Sequence, residues 1–288
     1  MRTILLITYS HILELRSALN VFREKKKTIA LVPTMGYLHD GHLSLVKKAK
    51  SENDIVVVSI FVNPTQFGPN EDFVRYPRNI ERDTDLANHA GCDILFNPSV
   101  EEMYPAGFSS YAVVEDISTV LEGKFRPAHF KGVTTVVLKL LNIVQPRITY
   151  FGQKDAQQCV VISKMVDDLN LETEISIVPT LREMDGLAMS SRNVYLNTEE
   201  RKNAVVLNQS LQLAERLIRN GERNPALIIN EMKNLILSKN PTSVDYIEIV
   251  GSKDLKKTSM IKTDETILIP LAVRFGATRL IDNIIIHV

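Results

Sequence analysis

Two apolar runs joined by a helical pattern constrain the fold of this chain more than any other feature. The first run covers residues 28–32 and stops at Pro33, and the second covers residues 55–62. Between them, residues 43–49 place apolar side chains at helical spacing. A strand, a crossover helix and another apolar strand form the unit of a parallel, doubly wound sheet, which binds ligands at the carboxyl ends of its strands. The sequence therefore predicts a Rossmann-like α/β sheet with a binding loop at residues 33–41.

Helical and strand patterns continue to alternate up to about residue 180, which favours one α/β domain over residues 1–182. A glycine or a proline ends each of the later predicted helices, as is common at helix C-termini. The further predicted elements are helices at 12–22 with Ser10 as N-cap, at 80–90 and at 133–144, and a strand at 93–96.

The pattern changes after Asn193, in a chain of 288 residues that exceeds the commonest size of a single domain. One long charged helix is predicted from Thr198 to about Asn220, and another begins at Pro225. Helices followed by clustered strands are typical of an α+β domain, which we expect to be smaller and to cover residues 183–288. Its predicted strands lie near residues 244–250, 266–272 and 279–286.

Charge and cysteine content narrow the possible partners and the compartment. The 34 Lys and Arg residues balance the 34 Asp and Glu residues, so no net field favours nucleic acid or an anionic membrane. No apolar run approaches the eighteen or so residues of a membrane helix, and the apolar run before Tyr9 is too short for a secretion signal. Cys92 and Cys159 lack metal-site spacing and are interpreted as reduced thiols, which fits the cytoplasm.

The loop at residues 33–42 leads from a strand end into a helix start. Gly36 and Gly41 remove side chains where a nucleotide could approach the backbone, and a helix start favours phosphate. His39 and His42 lie three residues apart and could donate hydrogen bonds to phosphates. A zinc site is the main alternative, although no third ligand stands nearby. Either histidine alone could equally be an ordinary surface residue.

Further polar groups follow other predicted strands and loops. Asn63 and Gln66 offer amides that suit a small polar substrate, although Asn63-Pro64 alone could simply form a turn. Arg126 and His129 precede the helix at 133–144 and form a weak signal on their own.

Two later segments also suit phosphate. Lys154 could neutralise phosphate charge, and Asp155 could cap a helix or bind ribose or Mg²⁺. Ser190 and Ser191 precede Arg192, whose guanidinium forms charge-assisted bonds to phosphate. Taken alone, this last segment could also be a capped turn between domains.

Together these segments resemble the pantothenate synthetases, a family of the nucleotidyltransferase superfamily that is marked by a HIGH-type motif. Here that motif reads HDGH at residues 39–42, and the resemblance covers nearly the whole chain. One departure is Ala128, where the family more often has glycine. The other segments are PTMG, FVNPTQF, FGQKDAQQ, GLAMSSRN and the closing TRLIDN.

The resemblance implies an ATP-dependent ligase with two steps. Pantoate would form a pantoyl adenylate with release of pyrophosphate, and β-alanine would then displace AMP to give pantothenate. It also implies Mg²⁺ with ATP, a homodimer, and a C-terminal domain that acts as a lid. Within the HDGH motif, His42 would be the proton donor.

Site residues follow from the same resemblance, motif by motif. The predicted ATP-binding residues are Met35, Gly36, Tyr37, Leu38, His39, Asp40, Gly41, His42, Gly152, Gln153, Lys154, Asp155, Leu181, Met189, Ser190, Ser191 and Arg192. Those expected to act in catalysis are His42, His39, Lys154, Ser190, Ser191 and Arg192, with Asp155 as the Mg²⁺ ligand. Substrate-binding residues are expected to be Gln66 and Gln158 for pantoate, together with Pro33, Asn63 and His129.

Three other interpretations of the motifs stay open. Another HIGH-motif enzyme could transfer a nucleotide to a phosphorylated acceptor, which would need a further basic pocket. A fragment of an aminoacyl-tRNA synthetase would share the loop, but the balanced charge disfavours RNA. A catalytically inactive binding protein is disfavoured because Lys154, Ser190, Ser191 and Arg192 occur together.

Overall fold

The computed structural model describes residues 6–69 and 71–288. Its Cα positions divide into two compact units. Unit 1 contains the described residues up to Gly152 together with Val161–Pro179, and unit 2 contains Gln153–Val160 and Thr180–Val288.

Unit 1 alternates strands and helices along the chain, as the apolar patterns predict. The first residues of one helix, α7, cluster with unit 2. The elements are β1 (Ile7–Tyr9), α1 (Ile12–Glu24), β2 (Ile29–Thr34), α2 (Asp40–Glu52), β3 (Ile55–Ile60), α3 (Ile80–Ala90), β4 (Ile94–Phe96), α4 (Val100–Met103), α5 (Glu122–Phe125), α6 (His129–Val144), β5 (Ile148–Gly152), α7 (Ala156–Asp168) and β6 (Glu174–Val178).

The strands of unit 1 form one parallel sheet. Within the described residues it has six strands in the order β1-β4-β3-β2-β5-β6. Central β3 is buried along its whole length, which explains the run of four branched side chains at residues 55–58. From β2 the chain builds outward through β3 and β4 and then returns to β5 on the other side of β2. The carboxyl end of β2 is therefore the topological switch point, where such sheets bind ligands. The predicted Rossmann-like α/β class is confirmed.

Strand β2 extends further than its proline suggested. The prediction that the strand stops at Pro33 was wrong, because β2 continues to Thr34. Pro33 lacks an N–H, but β5 pairs with β2 only at Ala30 and Leu31. Pro33 therefore lies beyond the part of β2 whose backbone N–H groups pair with β5. On the other side of β2, pairing with β3 continues to Thr34.

Two helix starts in unit 1 also differ from their predicted positions. Helix α1 is preceded by His11 and not by a capping Ser10, because the Glu102 carboxylate accepts the Ile12 N–H at 2.8 Å. Helix α6 begins at His129, four residues earlier than predicted. Its first turn has Phe130 as its single apolar residue and contains Gly132, so the apolar period did not reveal it.

Unit 2 combines helices with an antiparallel sheet, as the clustered runs predict. Its sheet joins β10, β9 and β7 in that order, with β8 paired to β9, and helices α9 and α10 pack with it around one apolar core. The single helix predicted from Thr198 is interrupted at Val205, a break that the unbroken apolar period could not indicate. The elements are α8 (Thr198–Ala204), α9 (Val206–Arg219), α10 (Pro225–Leu237), β7 (Ser243–Ile247), β8 (Val250–Gly251), β9 (Thr266–Phe275) and β10 (Thr278–His287).

Length and polarity decide whether a helix can span a bilayer. Among the described residues, none of the helices combines the length and apolar content that a membrane crossing requires.

Candidate active site

The loop between β2 and α2 turns sharply in a conformation that favours glycine. Gly36 has φ +83° and Tyr37 has φ +50°, so two consecutive residues are left-handed. A Cβ atom on Gly36 would lie 2.9 Å from Ile60 Cγ2. The turn therefore needs glycine at position 36 for both its backbone angle and its close packing on β3.

A buried carboxylate holds this turn in place. Asp83 of α3 is 1% exposed and accepts the Tyr37 N–H at 2.6 Å and the Leu38 N–H at 2.7 Å. The neighbouring Arg82 guanidinium lies over the Tyr37 ring, 5.2 Å from its centroid. Sequence reasoning missed Asp83, because nothing in a polar helical segment indicates a partner 45 residues earlier.

The two histidines of the HDGH motif cap their own helix reciprocally. His39 is the N-cap of α2, and its Nδ1 accepts the Gly41 N–H at 3.2 Å. His42 Nδ1 in turn accepts the His39 N–H at 3.3 Å. The ring centroids lie 4.1 Å apart, with an angle of 43° between the planes.

This capping fixes the tautomers of both rings. A neutral imidazole whose Nδ1 accepts a hydrogen bond has its proton on Nε2. Both histidines are therefore Nε2–H donors at the positive end of a helix dipole. Such donors can stabilise negative charge that develops on a phosphate.

The amides at the end of β3 interact with the first loop. Asn63 is 1% exposed, donates to Gln66 Oε1 at 3.1 Å, and accepts the hydroxyl of Tyr104 at 2.8 Å. Gln66 Nε2 points at Met35 Sδ, 2.9 Å away. A thioether is a weak acceptor, so a carboxylate or hydroxyl would be a better partner for this amide.

His129 and Arg126 lie behind Gln66 and support its backbone. His129 Nδ1 is 3.0 Å from the Gln66 carbonyl, and its Nε2 is 3.1 Å from Arg126 Nη1. Burial and the adjacent Arg126 guanidinium lower the pKa of His129 to about 4. The ring is therefore neutral at pH 7, with Nδ1–H donating and Nε2 accepting. Ala128 has φ −92°, so this turn does not need the glycine common in the family.

Arg126 is itself held by an acidic partner. Its Nε and Nη2 donate to the two carboxylate oxygens of Glu71 at 2.8 and 2.7 Å. Burial acts to raise the pKa of Glu71, but the hydrogen bonds and charge of Arg126 outweigh it and the net shift is downward. A charged pair thus anchors the turn that contains Gln66.

In unit 2, the segment after β5 forms a short 3-10 turn over residues 153–155 before α7. The Lys154 ammonium lies 3.7 Å from the Asp155 carboxylate, which is about half exposed. Gln158 lies in the first turn of α7 and is partly buried. Asn283 of β10 donates to the carbonyls of Gln153 and Lys154, each at 2.9 Å.

Asp155 is a single carboxylate, which bears on Mg²⁺. Within residues 6–69 and 71–288 no group of three His, Cys, Asp or Glu side chains is arranged to hold a metal ion. Mg²⁺ in nucleotide sites commonly uses one or two carboxylates together with substrate phosphates. The donor chemistry of Asp155 fits that type of site.

Residues 181–192 form a hairpin followed by a 3-10 turn. The Met189 N–H donates to the Leu181 carbonyl at 3.0 Å, and Gly186 turns the hairpin with φ +96°. Ser190 then caps the turn at Ser191–Tyr195 by accepting the Arg192 N–H at 3.3 Å. The hydroxyls and the guanidinium predicted to meet phosphate are thus presented from one short turn.

Each predicted site residue falls in one of the two units. The assignment of ligands to these residues stays a prediction. Unit 1 contains Pro33, Met35, Gly36, Tyr37, Leu38, His39, Asp40, Gly41, His42, Asn63, Gln66, His129 and Gly152, and unit 2 contains Gln153, Lys154, Asp155, Gln158, Leu181, Met189, Ser190, Ser191 and Arg192.

Sequence relatives agree with the motifs. The family model described as pantoate-beta-alanine ligase matches residues 7–285. A pantothenate synthetase from Acetivibrio thermocellus is 55% identical over 275 residues, which is 96% of this chain and 97% of the relative. One from Thermoanaerobacter sp. is 56% identical over 269 residues, which is 92% of this chain and 94% of the relative.

Solved structures give the same result. The crystal structure of pantothenate synthetase from Thermus thermophilus matches with a TM-score of 0.91 and 46% identity, over 96% of this chain and 98% of that one. A pantoate-beta-alanine ligase from Francisella tularensis, described as complexed with beta-gamma ATP and beta-alanine, matches with a TM-score of 0.80 and 38% identity, over 97% of each chain.

Proposed function

The chain belongs to the pantoate-beta-alanine ligase family, and from this premise we propose that it forms a pantoyl adenylate on the way to its product. It is an ATP-dependent ligase that condenses pantoate with β-alanine. One observation supports the adenylate step most directly: His39 and His42 are both fixed as Nε2–H donors at the start of α2.

In the first step, a pantoate carboxylate oxygen attacks the α-phosphorus of ATP. A new O–P bond forms and the bond to pyrophosphate breaks. The carboxylate is already ionised at neutral pH, so no general base is needed. The two histidines donate to phosphate oxygens, and these hydrogen bonds strengthen as negative charge builds on the leaving pyrophosphate.

In the second step, the neutral amine of β-alanine attacks the acyl carbon of the adenylate. A C–N bond forms, the C–O bond to AMP breaks, AMP leaves as its phosphate anion, and the extra proton of the amine passes to solvent. Adenylation supplies the good leaving group, so the protein mainly positions the reactants. His42 as the proton donor is part of this proposal, and it would act in the first step, on the leaving pyrophosphate.

The remaining contacts to ATP are proposed from the motifs. Lys154 and Arg192 would neutralise phosphate oxygens, and Ser190 and Ser191 would add hydroxyl donors. Bound Mg²⁺ would add positive charge at the phosphates, with Asp155 as its protein ligand. Asp83 holds the turn at residues 36–38, and Gly36 has no side chain that would obstruct a nucleotide there.

Pantoate recognition is proposed for Gln66 and Gln158. Gln66 already has its side-chain oxygen bound by Asn63, and within the described residues its amide nitrogen points at the Met35 thioether. A pantoate oxygen would replace that weak acceptor at little cost to the fold. Asn63 and His129 would then act by holding Gln66, since both bind it directly.

Assembly and compartment are also proposals. We propose a homodimer, which light scattering of the purified protein would test. A cytoplasmic location is supported by two buried free thiols, and burial raises the pKa of Cys92 to about 12. The lid role of residues 183–288 stays a prediction of the sequence.

The reaction is tested with purified protein, ATP, pantoate, β-alanine and Mg²⁺. We expect pantothenate, AMP and pyrophosphate in equal amounts, with no product when any substrate is omitted. The adenylate is tested separately by exchange of labelled pyrophosphate into ATP without β-alanine. Exchange that requires pantoate supports the intermediate, and its absence in an active enzyme would count against it.

The other interpretations give different outcomes. A nucleotidyltransferase with a phosphorylated acceptor would show exchange without pantoate. A tRNA synthetase fragment would retain tRNA more tightly as salt falls. Omission of Mg²⁺ together with a chelator should stop both steps, and full activity under that condition would contradict the Mg²⁺ proposal.

A further inference from the structure

Strand β10 of unit 2 contains two adjacent buried polar residues. Asp282 is 2% exposed and Asn283 is 3% exposed, in a strand that is otherwise rich in isoleucine. Burying such groups is unfavourable unless they are fully hydrogen-bonded. β10 is also the edge strand of its sheet, so one side of it has no strand partner within the described residues. The two residues use that position to hold loop segments.

Asn283 holds the turn that contains Lys154. Its Nδ2 donates to the carbonyls of Gln153 and Lys154 at 2.9 Å each. Its Oδ1 lies 3.4 Å from Gln153 Nε2, a longer contact. Both hydrogens of one amide group therefore bind consecutive carbonyls, which fixes the direction in which the Lys154 side chain leaves the backbone.

Asp282 holds the hairpin that leads to Arg192. Its carboxylate accepts both terminal nitrogens of Arg182, at 2.6 and 3.0 Å. Arg182 also donates to the Gly186 carbonyl at 3.1 Å, and it pairs with Ala188 across the hairpin. The same carboxylate accepts the Asn283 N–H at 2.8 Å, so the two anchors are linked.

We propose that Asp282 and Asn283 form a positioning pair that sets the distance between Lys154 and the Ser190–Arg192 turn. This inference rests on the proposed function, in which those two segments bind the phosphates of ATP. Neither residue touches substrate in this scheme. One strand holds both phosphate-binding segments, so the spacing between their cations is fixed before ATP arrives, which lowers the ordering cost of binding.

The variants that test this pair keep the size of each side chain. Asn283→Asp places a carboxylate oxygen against two carbonyls and should displace the Lys154 turn. Asp282→Asn removes the charge that holds Arg182. We expect each to raise KM for ATP by about tenfold, the effect of losing one strong hydrogen bond. The KM for β-alanine should change less than about twofold.

A matched control separates positioning from general destabilisation. Ile286→Val lies in the same strand, is 1% exposed, and shortens a core side chain. It should lower the urea midpoint and leave KM for ATP near the wild-type value. If the Asn283→Asp protein does not fold, Asn283→Ser is used in its place. Its hydroxyl has only one hydrogen to donate, so it can bind only one of the two carbonyls.

Double mutants supply the decisive measurement. If Asn283 acts through Lys154, the effect of Asn283→Asp on KM for ATP should shrink below about twofold in a Lys154→Ala background but persist in Arg192→Ala. Asp282→Asn should show the opposite pattern. Substitution of a residue that merely stabilises the fold would change KM for ATP by the same factor in both backgrounds.

The outcomes are distinguishable from failure of the proposed function. Wild-type protein without pantoate-dependent exchange would reject the function itself. Active wild-type protein, with Asn283→Asp and Asp282→Asn behaving like Ile286→Val, would reject the positioning pair. An equal fold-change in KM for ATP in the Lys154→Ala and Arg192→Ala backgrounds would reject the positioning pair as well.

Discussion

Each histidine of the HDGH motif has a structural role in addition to its proposed chemical one. Nδ1 of His39 and Nδ1 of His42 bind backbone N–H groups at the start of α2. The motif therefore resembles a capping box in which imidazoles replace the usual hydroxyl and carboxylate. A substitution at either position changes helix capping together with the proposed phosphate binding, and the two effects need separate measurements.

Two substitutions at position 42 separate these effects. His42→Ala loses both the cap and the Nε2–H donor, so we expect turnover to fall on the order of a hundredfold or more. We also expect a loss of about 1 kcal/mol of stability. His42→Gln keeps a side chain that suits the third position of a capping box. It should unfold near the wild-type urea midpoint and still turn over slowly.

The measurements are kcat, KM for ATP and urea unfolding for the three proteins. KM for ATP should change modestly, because the lost hydrogen bond strengthens mainly in the transition state. Wild-type turnover in His42→Ala would refute the donor role, because alanine has no hydrogen to donate whereas the amide of His42→Gln can still donate one.

The candidate site residues could be named from the sequence, and their ligands stay predictions, but the residues that support them could not be named. His39, His42 and Gln66 follow predicted strands, and parallel strands end at one edge. Asp83 was missed because its bond to Tyr37 spans 46 residues and leaves no local pattern. Asp282 and Asn283 belong to the closing motif noted in the sequence, but only the fold reveals what they hold.

At the scale of elements, the packing of α6 on the Gln66 turn is unusually close. A Cβ atom on Gly132 would lie 2.4 Å from the Thr65 carbonyl oxygen and 2.5 Å from the Gln66 nitrogen. Both neighbours are backbone atoms, so they cannot move aside as a flexible side chain can. Asn63 also donates to the Gly132 carbonyl at 3.1 Å, which fixes the same contact from the other side.

Gly132→Ala is therefore expected to destabilise the protein. In an ordinary helix interior, alanine is more stable than glycine by about 0.5–1 kcal/mol, but overpacking here should reverse the sign and cost about 1–3 kcal/mol. Displacement of the Gln66 turn should raise KM for pantoate. Urea unfolding and steady-state kinetics measure both effects.

Gly68→Ala is the matched control near the same turn. Its Cβ would meet only Glu71 side-chain atoms at 3.7 Å or more. If Gly132→Ala instead stabilises the protein as in an ordinary helix, the Gln66 turn can move aside and the expected overpacking is absent.

The order of elements could be predicted better than their limits. Alternating apolar runs indicated the parallel sheet, and clustered runs indicated the α+β unit. Strand order could not be predicted, because it depends on where the chain returns beside β2. Apolar periodicity also did not indicate the break at Val205 or the first turn of α6, in which Phe130 is the single apolar residue.

At the scale of the whole molecule, His129 links folding to pH. Its pKa is about 4 in the folded chain and 6.5 for the unperturbed group. Below pH 6.5 the unfolded chain binds a proton that the folded chain does not bind until about pH 4. With respect to His129 alone, no stability is lost above pH 6.5, and stability falls as pH decreases through this window. Glu71 adds to the loss at acid pH, since its pKa is lowered on folding.

We expect the His129 contribution to reach about 3 kcal/mol between about pH 7 and pH 4, as the difference between its folded and unfolded pKa implies. His129→Gln stays neutral at every pH. It should therefore remove this part of the decrease in the free energy of unfolding between about pH 7 and pH 4. Urea unfolding at about pH 7 and about pH 4.5 measures it. If the free energy of unfolding changes with pH equally in wild type and in His129→Gln, the effect does not come from His129.

The hydrogen bonds that the Asp83 carboxylate accepts from the loop between β2 and α2 have a consequence for spectroscopy. Loop amides usually exchange with solvent deuterium quickly, but the amides of Tyr37 and Leu38 bind a carboxylate that is 1% exposed. They should exchange as slowly as amides of the central strands, and their proton resonances should shift downfield because the acceptor is charged. Two isolated, slowly exchanging signals would then report on the integrity of the loop between β2 and α2 in the absence of any substrate.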